Sequence, residues 1–225
     1  MTEMSENSRL DNDRSPVSGY ETELAASSQD YCLLLHACCG PCAEFPARDL
    51  LAEGFDLRLY FFNPNIHPQE EHDRRRDNLL KMAQNLGVPV DVDEAYDESA
   101  WRAMEAPERC RMCYHVRLDA AARHAAALGI PRFTTTLLIS PYQDHEALKS
   151  IGEEVAAKHG VTFLYRDFRS HFREGQQLAK EDGLYRQKYC GCIRSLEESP
   201  FKEKIIRDLA NLALEATASD PLAAR

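Results

Sequence analysis

The sequence has no apolar run approaching the ~18 residues needed to cross a bilayer. Its opening residues, MTEMSENSRL, offer neither a cationic start nor an apolar segment of the secretory-leader kind. A membrane or exported protein is therefore not expected, and the chain is read as cytoplasmic. Positive charge is also scarce: 27 Lys and Arg face 37 Asp and Glu, a net charge of −10, so net charge alone does not announce a nucleic-acid partner. There is no internal repeat. No glycine-rich loop of the phosphate-cradling type follows the first apolar run, which argues against nucleotide hydrolysis or a nucleotide-dependent ligase.

What is present is cysteine, in an unusual arrangement. Cys32 stands alone; Cys38, Cys39 and Cys42 form one group, Cys110 and Cys113 a second, Cys190 and Cys192 a third. A reducing compartment makes structural disulfides poor candidates. Thiolates are soft ligands that select zinc, copper(I) or iron–sulfur clusters. One reading is structural zinc held by Cys110, Cys113, Cys190 and Cys192, which leaves three clustered thiols without a role. Another is a thiol-disulfide oxidoreductase using Cys39-Gly40-Pro41-Cys42, which leaves five. An iron–sulfur cluster takes four cysteines, so seven clustered thiols hold three in excess, enough for an additional metal ion. Cys32 is expected to be a buried structural cysteine.

The charge is unevenly spread. Residues 1–30 carry a net −5, half the total, and with no apolar period they are expected to form a disordered or loosely attached acidic tail. Residues 161–196 carry a local +3, so a basic surface near the last cysteine pair is compatible with an acidic chain.

Along the rest of the chain, short apolar runs alternate with helical patterns. Strands are expected at 33–36, 57–62, 88–92, 133–139 and 162–165. Helices are expected at 44–53, 69–86, 101–104, 110–128, 145–159 and 200–214, with a basic helical stretch through Arg173 broken near Gly183. Five alternations predict an α/β fold, a Rossmann-like, mostly parallel sheet with helices on both faces. We expect one catalytic domain over 31–215 and a short tail over 216–225. Cys38–Cys42 then lie just past the carboxyl end of the first strand, where open α/β sheets place their ligands.

The segments HACCGPC (36–42), FFNPNIHPQEE (61–71), RCRMC (109–113), TTTLLISPYQDHEALKSIG (134–152) and FREGQQLAKEDGLYRQKYCGC (172–192) together resemble epoxyqueuosine reductase of the QueH type, the cobalamin-independent class. The resemblance implies an oxidoreductase that completes tRNA queuosine synthesis: it reduces epoxyqueuosine at the wobble position, removing the epoxide oxygen as water and leaving an alkene. It also implies a fold of the adenine-nucleotide α-hydrolase-like (HUP) group, a [4Fe–4S] cluster with an additional mononuclear iron nearby, and an external electron donor. The motif cysteines are Cys38, Cys39, Cys42, Cys110, Cys113, Cys190 and Cys192. The expected division puts Cys110, Cys113, one of Cys38 and Cys39, and one of Cys190 and Cys192 on the cluster, and the remainder with Cys42 on the separate iron. Tyr142, Asp144, His145 and Tyr185 lie in the matched segments as candidate proton donors, each competing with packing or helix capping. His36 is expected to be a buried hydrogen-bonding residue beside the metal. For the anticodon loop, Arg166, Arg169, Arg173, Arg186, Lys188 and Arg194 surround Tyr185 and Tyr189 in sequence, a mixture suited to phosphate contacts and base stacking. Arg74, Arg75 and Arg76 are ambiguous.

Overall fold

The computed structural model describes residues 31–104 and 108–218. The acidic segment 1–30 and residues 219–225 of the expected C-terminal tail lie outside the described residues. Five strands form one sheet: β1 (Cys32–His36), β2 (Asp56–Phe62), β3 (Val90–Asp93), β4 (Arg132–Thr135) and β5 (Thr162–Phe163). Their order is β3-β2-β1-β4-β5 and every pairing is parallel. β1 is central, and Leu33, Leu34 and Leu35 are fully buried, as a strand covered on both faces requires.

The helices are α1 (Gly40–Ala52), α2 (Gln69–Leu86), α3 (Glu98–Arg102), α4 (Arg109–Ala127), α5 (His145–His159), α6 (Phe172–Glu181), α7 (Ile193–Glu197) and α8 (Lys202–Ala218). α1 packs on α2 and α6, while α4 packs on α5 and on strands β1, β2 and β4. This is the doubly wound arrangement with helices on both faces. None of the described helices is long and apolar enough to cross a membrane.

The bounds of α2 and α5 coincide with the expected spans. Gly87 at φ 68° and Gly160 at φ 70° end them in the left-handed conformation, and Asp144 caps the start of α5 by accepting from the Ala147 N–H at 3.0 Å.

Among the expected spans that change, three bear on the site. α1 begins at Gly40, four residues early, because Pro41 occupies the first turn, where its missing N–H costs nothing; Cys42 is therefore helical. The expected strand 133–139 stops at Thr135, and Thr136–Ile139 forms a 3-10 turn. Its neighbour β1 ends at His36, paired with Thr135, so residues beyond it have no ladder to join. The basic helix begins at Phe172, after a 3-10 turn over Arg169–His171.

Beside the main core lies a small apolar cluster of Tyr189, Ile193, Leu196, Ile205 and Leu209. It grips both flanks of the Cys190–Cys192 loop.

Candidate metal centre

The turn after β1 delivers Cys38, Cys39 and Cys42 to the carboxyl end of the sheet. Cys39 is the residue preceding α1, with an extended backbone, and Cys42 lies in the helix's first turn. All three sulfurs lie within 4.8 Å of one another and are buried, and Cys38 Sγ is 3.8 Å from Cys39 Sγ. The Cys38 N–H donates to Thr136 Oγ1 at 3.1 Å, and the Thr136 hydroxyl lies 3.5 Å from Cys38 Sγ. Gln187 Nε2 donates to Cys42 Sγ at 3.1 Å. Hydrogen bonds from Cys39 and Cys42 hold the Cys38 thiol well below the usual range. Burial pushes Cys39 up, and donation to Cys38 pushes Cys42 up. Three buried thiols this close together are a set in which a metal ion can replace the protons.

A second set forms where the start of α4 meets the 190–192 loop. Cys110 and Cys113, three residues apart on one helix, share a face. With Cys190 and Cys192 they line one small cavity, closed by Asn65 and Trp101. No three of these four sulfurs lie within 4.8 Å of one another. Asn65 Nδ2 donates to Cys113 Sγ at 3.0 Å, Gln143 Nε2 approaches Cys190 Sγ at 3.6 Å, and the Ser195 N–H donates to Cys192 Sγ at 3.4 Å. Burial pushes the Cys113 thiol up to about 12 and raises Cys110 as well.

The loop carrying Cys190 and Cys192 is held from α2. Arg75, 1% exposed, donates from Nε to Glu71 Oε1 at 2.7 Å, from Nη1 to the Cys190 carbonyl at 2.8 Å and from Nη2 to the Tyr189 carbonyl at 3.0 Å. Gly191 has φ +136°, and a Cβ there would meet Arg75 Nη1 at 3.0 Å. The Tyr189 hydroxyl donates to the His67 carbonyl, and the Gly191 carbonyl accepts from the His67 N–H at 2.8 Å.

A cavity of about 420 Å³ joins the two sets. Cys38 and Cys42 line one side and Cys190 another, with Arg117, Gln143 and Tyr142 among the remaining walls.

The other sequence candidates separate in space. Tyr142 lines this cavity and is 84% exposed. Asp144 is engaged as the α5 cap. His145 is buried, with Nδ1 3.3 Å from the Tyr165 hydroxyl and Nε2 3.2 Å from the Ser140 carbonyl. The Tyr185 hydroxyl donates to Glu71 Oε2 at 3.0 Å, and burial raises its pKa. His36 is fully buried, between Thr135 Oγ1 at 2.9 Å and the Phe62 carbonyl at 3.1 Å. Burial lowers its pKa to about 4, so it is neutral. Cys32 is only partly buried, its Sγ 3.6 Å from Asp56 Oδ2, a correction to the expected buried residue.

The six sequence-selected cations are not equivalent. Arg166 pairs with Asp49 and Glu53, Arg169 with Asp167, Lys188 with Asp208 and Arg194 with Glu197. Arg173 and Arg186 have no ion pair among the described residues. Of the arginine triplet, Arg75 is the clamp, Arg76 bridges Asp73, Asp77 and Glu94, and the Arg74 guanidinium lies 3.4 Å over the Tyr185 ring. Although His72, Asp73 and Glu94 lie close together, Arg76 ties both carboxylates into ion pairs, and the group reads as a charge network.

Sequence reading gave no role to Asn65, Arg117, Gln143 and Gln187 and left Arg75 ambiguous. A signal existed for one of them: Arg117 lies four residues after Cys113, on the same face of α4.

The family model of epoxyqueuosine reductase QueH matches residues 33–198. Three curated relatives, each named epoxyqueuosine reductase QueH, illustrate the similarity. The Dehalococcoides mccartyi protein is 34% identical over 166 residues, covering 72% of this chain and 91% of its own. That of Haemophilus influenzae is 36% identical over 179 residues, covering 74% and 72%. That of Thermotoga maritima is 35% identical over 181 residues, covering 74% and 91%. Among solved structures, a predicted subunit of tRNA methyltransferase from Methanocaldococcus jannaschii superposes with a TM-score of 0.45 at 12% identity, over 66% of this chain and 75% of that one.

Proposed function

The chain belongs to the epoxyqueuosine reductase family QueH, and we propose that it reduces the epoxide of epoxyqueuosine in tRNA, at the wobble position, using a [4Fe–4S] cluster and a separate iron held in two adjoining thiol sets. The observation that carries this reading is the unlike spacing of the two sets around one cavity. A single tetrahedral metal with thiolate bonds of about 2.3 Å holds its sulfurs a little under 4 Å apart, which fits Cys38 and Cys39 at 3.8 Å. A four-iron cluster binds each cysteine at a different corner of a cube and spaces its thiolates more widely, which fits the wider quartet. We therefore assign Cys110, Cys113, Cys190 and Cys192 to the cluster and Cys38, Cys39 and Cys42 to the separate iron. This assignment replaces the mixed division expected from sequence, because Cys38 and Cys39 stand with Cys42.

When bound, the metals supply one-electron transfer and a Lewis acid. The chain's own residues do the rest. Asn65, Gln143 and Gln187 orient thiolates by amide donation, and such hydrogen bonds tune potential and affinity. Arg75 fixes the 190–192 loop. Tyr142 stands at the solvent side of the cavity, able to pass a proton inward.

The RNA strand is assigned to a groove of about 690 Å³ lined by Arg74, Tyr185, Arg186 and Lys188, which shares Gln176, Gln187 and Lys188 with the central cavity. A stacked Arg–Tyr pair beside an unpaired arginine suits a base and its phosphate. Arg186→Glu is expected to weaken tRNA binding several-fold and to lower its salt dependence; equal affinity and slope would remove the groove.

Anaerobic purification with iron and sulfide quantitation, EPR of the reduced protein and conversion of epoxyqueuosine-containing tRNA test the whole reading. A brown, EPR-active protein that yields queuosine is expected. A colourless zinc protein, or a metal-free one with a reversible Cys39–Cys42 disulfide, would overturn it.

A further inference from the structure

Arg117 is a buried cation with no carboxylate partner among the described residues, and its charge favours the thiolate forms of Cys38 and Cys113. It is 2% exposed, and its Nε donates to Asn65 Oδ1 at 2.8 Å. Its two Nη groups have no hydrogen-bond or ion-pair partner among the described residues, yet they are not sealed in apolar surroundings, because the residue lines the cavity shared by Cys38, Cys42 and Cys190. The other buried guanidinium there, Arg75, is saturated by Glu71 and two carbonyls. A buried cation with free donors is costly, and it is useful where negative charge must be received.

We propose that Arg117 is a catalytic residue whose Nη donors receive the substrate oxygen as the epoxide opens. The inference rests on the reductase reading. In the balanced reaction both C–O bonds break and one C=C bond forms, with two electrons coming from a one-electron donor protein. Two protons from solvent convert the departing oxygen to water. After the first C–O bond breaks and before protonation, that oxygen is anionic, and the guanidinium fork stabilises it. Arginine does not release a proton in proteins, so its contribution is electrostatic. The Nε bond to Asn65 fixes the direction of the fork, and Asn65 is in turn held against Cys113.

The holoenzyme of Arg117→Gln tests this, with Arg117→Lys as the variant that keeps the charge should the first not fold. The expected result is unchanged iron, sulfide and EPR spectrum, KM for the tRNA within about threefold, and kcat lowered about 10²–10³-fold, with a smaller loss for the lysine variant. Guanidinium ion is expected to restore part of the activity of Arg117→Ala, and methylammonium is not. Nitrate, a planar oxyanion, is expected to raise the thermal midpoint of the wild-type holoenzyme more than that of Arg117→Gln. Unchanged kcat, a kcat loss matched by lost iron, or equal nitrate shifts would overturn the proposal; matched iron loss would mean that Arg117 only balances thiolate charge. A wild-type holoenzyme that bound nitrate through Arg117 but reduced no epoxyqueuosine would fail the reductase reading instead.

Discussion

The two thiol sets are built from one residue type by opposite means. Cys38, Cys39 and Cys42 come from five consecutive positions at the most buried strand of the sheet, and their geometry is set by the β1 turn and the first turn of α1. Cys110, Cys113, Cys190 and Cys192 come from segments almost eighty residues apart, and a third element, α2, fixes the 190–192 loop through Arg75. The first set is compact because it is local. The second is wide because two separate walls face each other across a cavity. On the proposed assignment, local construction gives a site for one ion and long-range construction a site for a larger group, so substitutions should damage the two differently.

The largest effect is expected from Cys113→Ser, which removes a thiol of the wide set assigned to the cluster: sulfide and most iron should be lost and reductase activity fall to background, read by metal analysis and turnover. Retained sulfide would break the assignment. Next comes Arg75→Met, which strands the Glu71 carboxylate and two loop carbonyls. A destabilisation of about 3–5 kcal/mol is expected, seen as a fall of roughly 10 °C in the thermal midpoint, with iron lost from the wide set before the compact one. Gly191→Ala should cost about 1–3 kcal/mol, since φ +136° disfavours a side chain and Arg75 Nη1 stands 3.0 Å from the new Cβ. The smallest effect concerns His67, which accepts from the Ile193 N–H at 3.1 Å and whose pKa burial lowers below 6.5. The unfolded state binds this proton more readily, so stability is expected to decline as pH falls below about 6.5. His67→Asn should show a shallower decline of the thermal midpoint over the same range.

The compact set was legible in the sequence because everything that builds it is local: three apolar residues, a turn with Pro41, and the thiols themselves. The parallel sheet was legible for the same reason, through alternating periods. Pairing across the chain was not. Thr136–Ile139 has the composition of a strand, and only the end of β1 at His36 denies it a neighbour. The basic stretch looked continuous, yet Asp49 on α1 and Glu53 just after it neutralise Arg166 from more than a hundred residues away. Arg74 joins Tyr185 only because α2 lies beside the segment after α6. Asp144 and Tyr185 were chosen for lying in the matched segments, and in the fold they serve a helix cap and the Glu71–Arg75 network. Arg117 and Asn65 carry no charge pattern of their own in sequence, and their meaning comes from the two adjoining cavities they line.

The most direct test of the division between the sets is the iron and sulfide content of anaerobically purified Cys42→Ser beside the wild type. The account predicts the loss of about one iron per chain with about four sulfides retained, as one intact [4Fe–4S] cluster requires. Loss of sulfide in proportion to iron would place Cys42 on the cluster and contradict it.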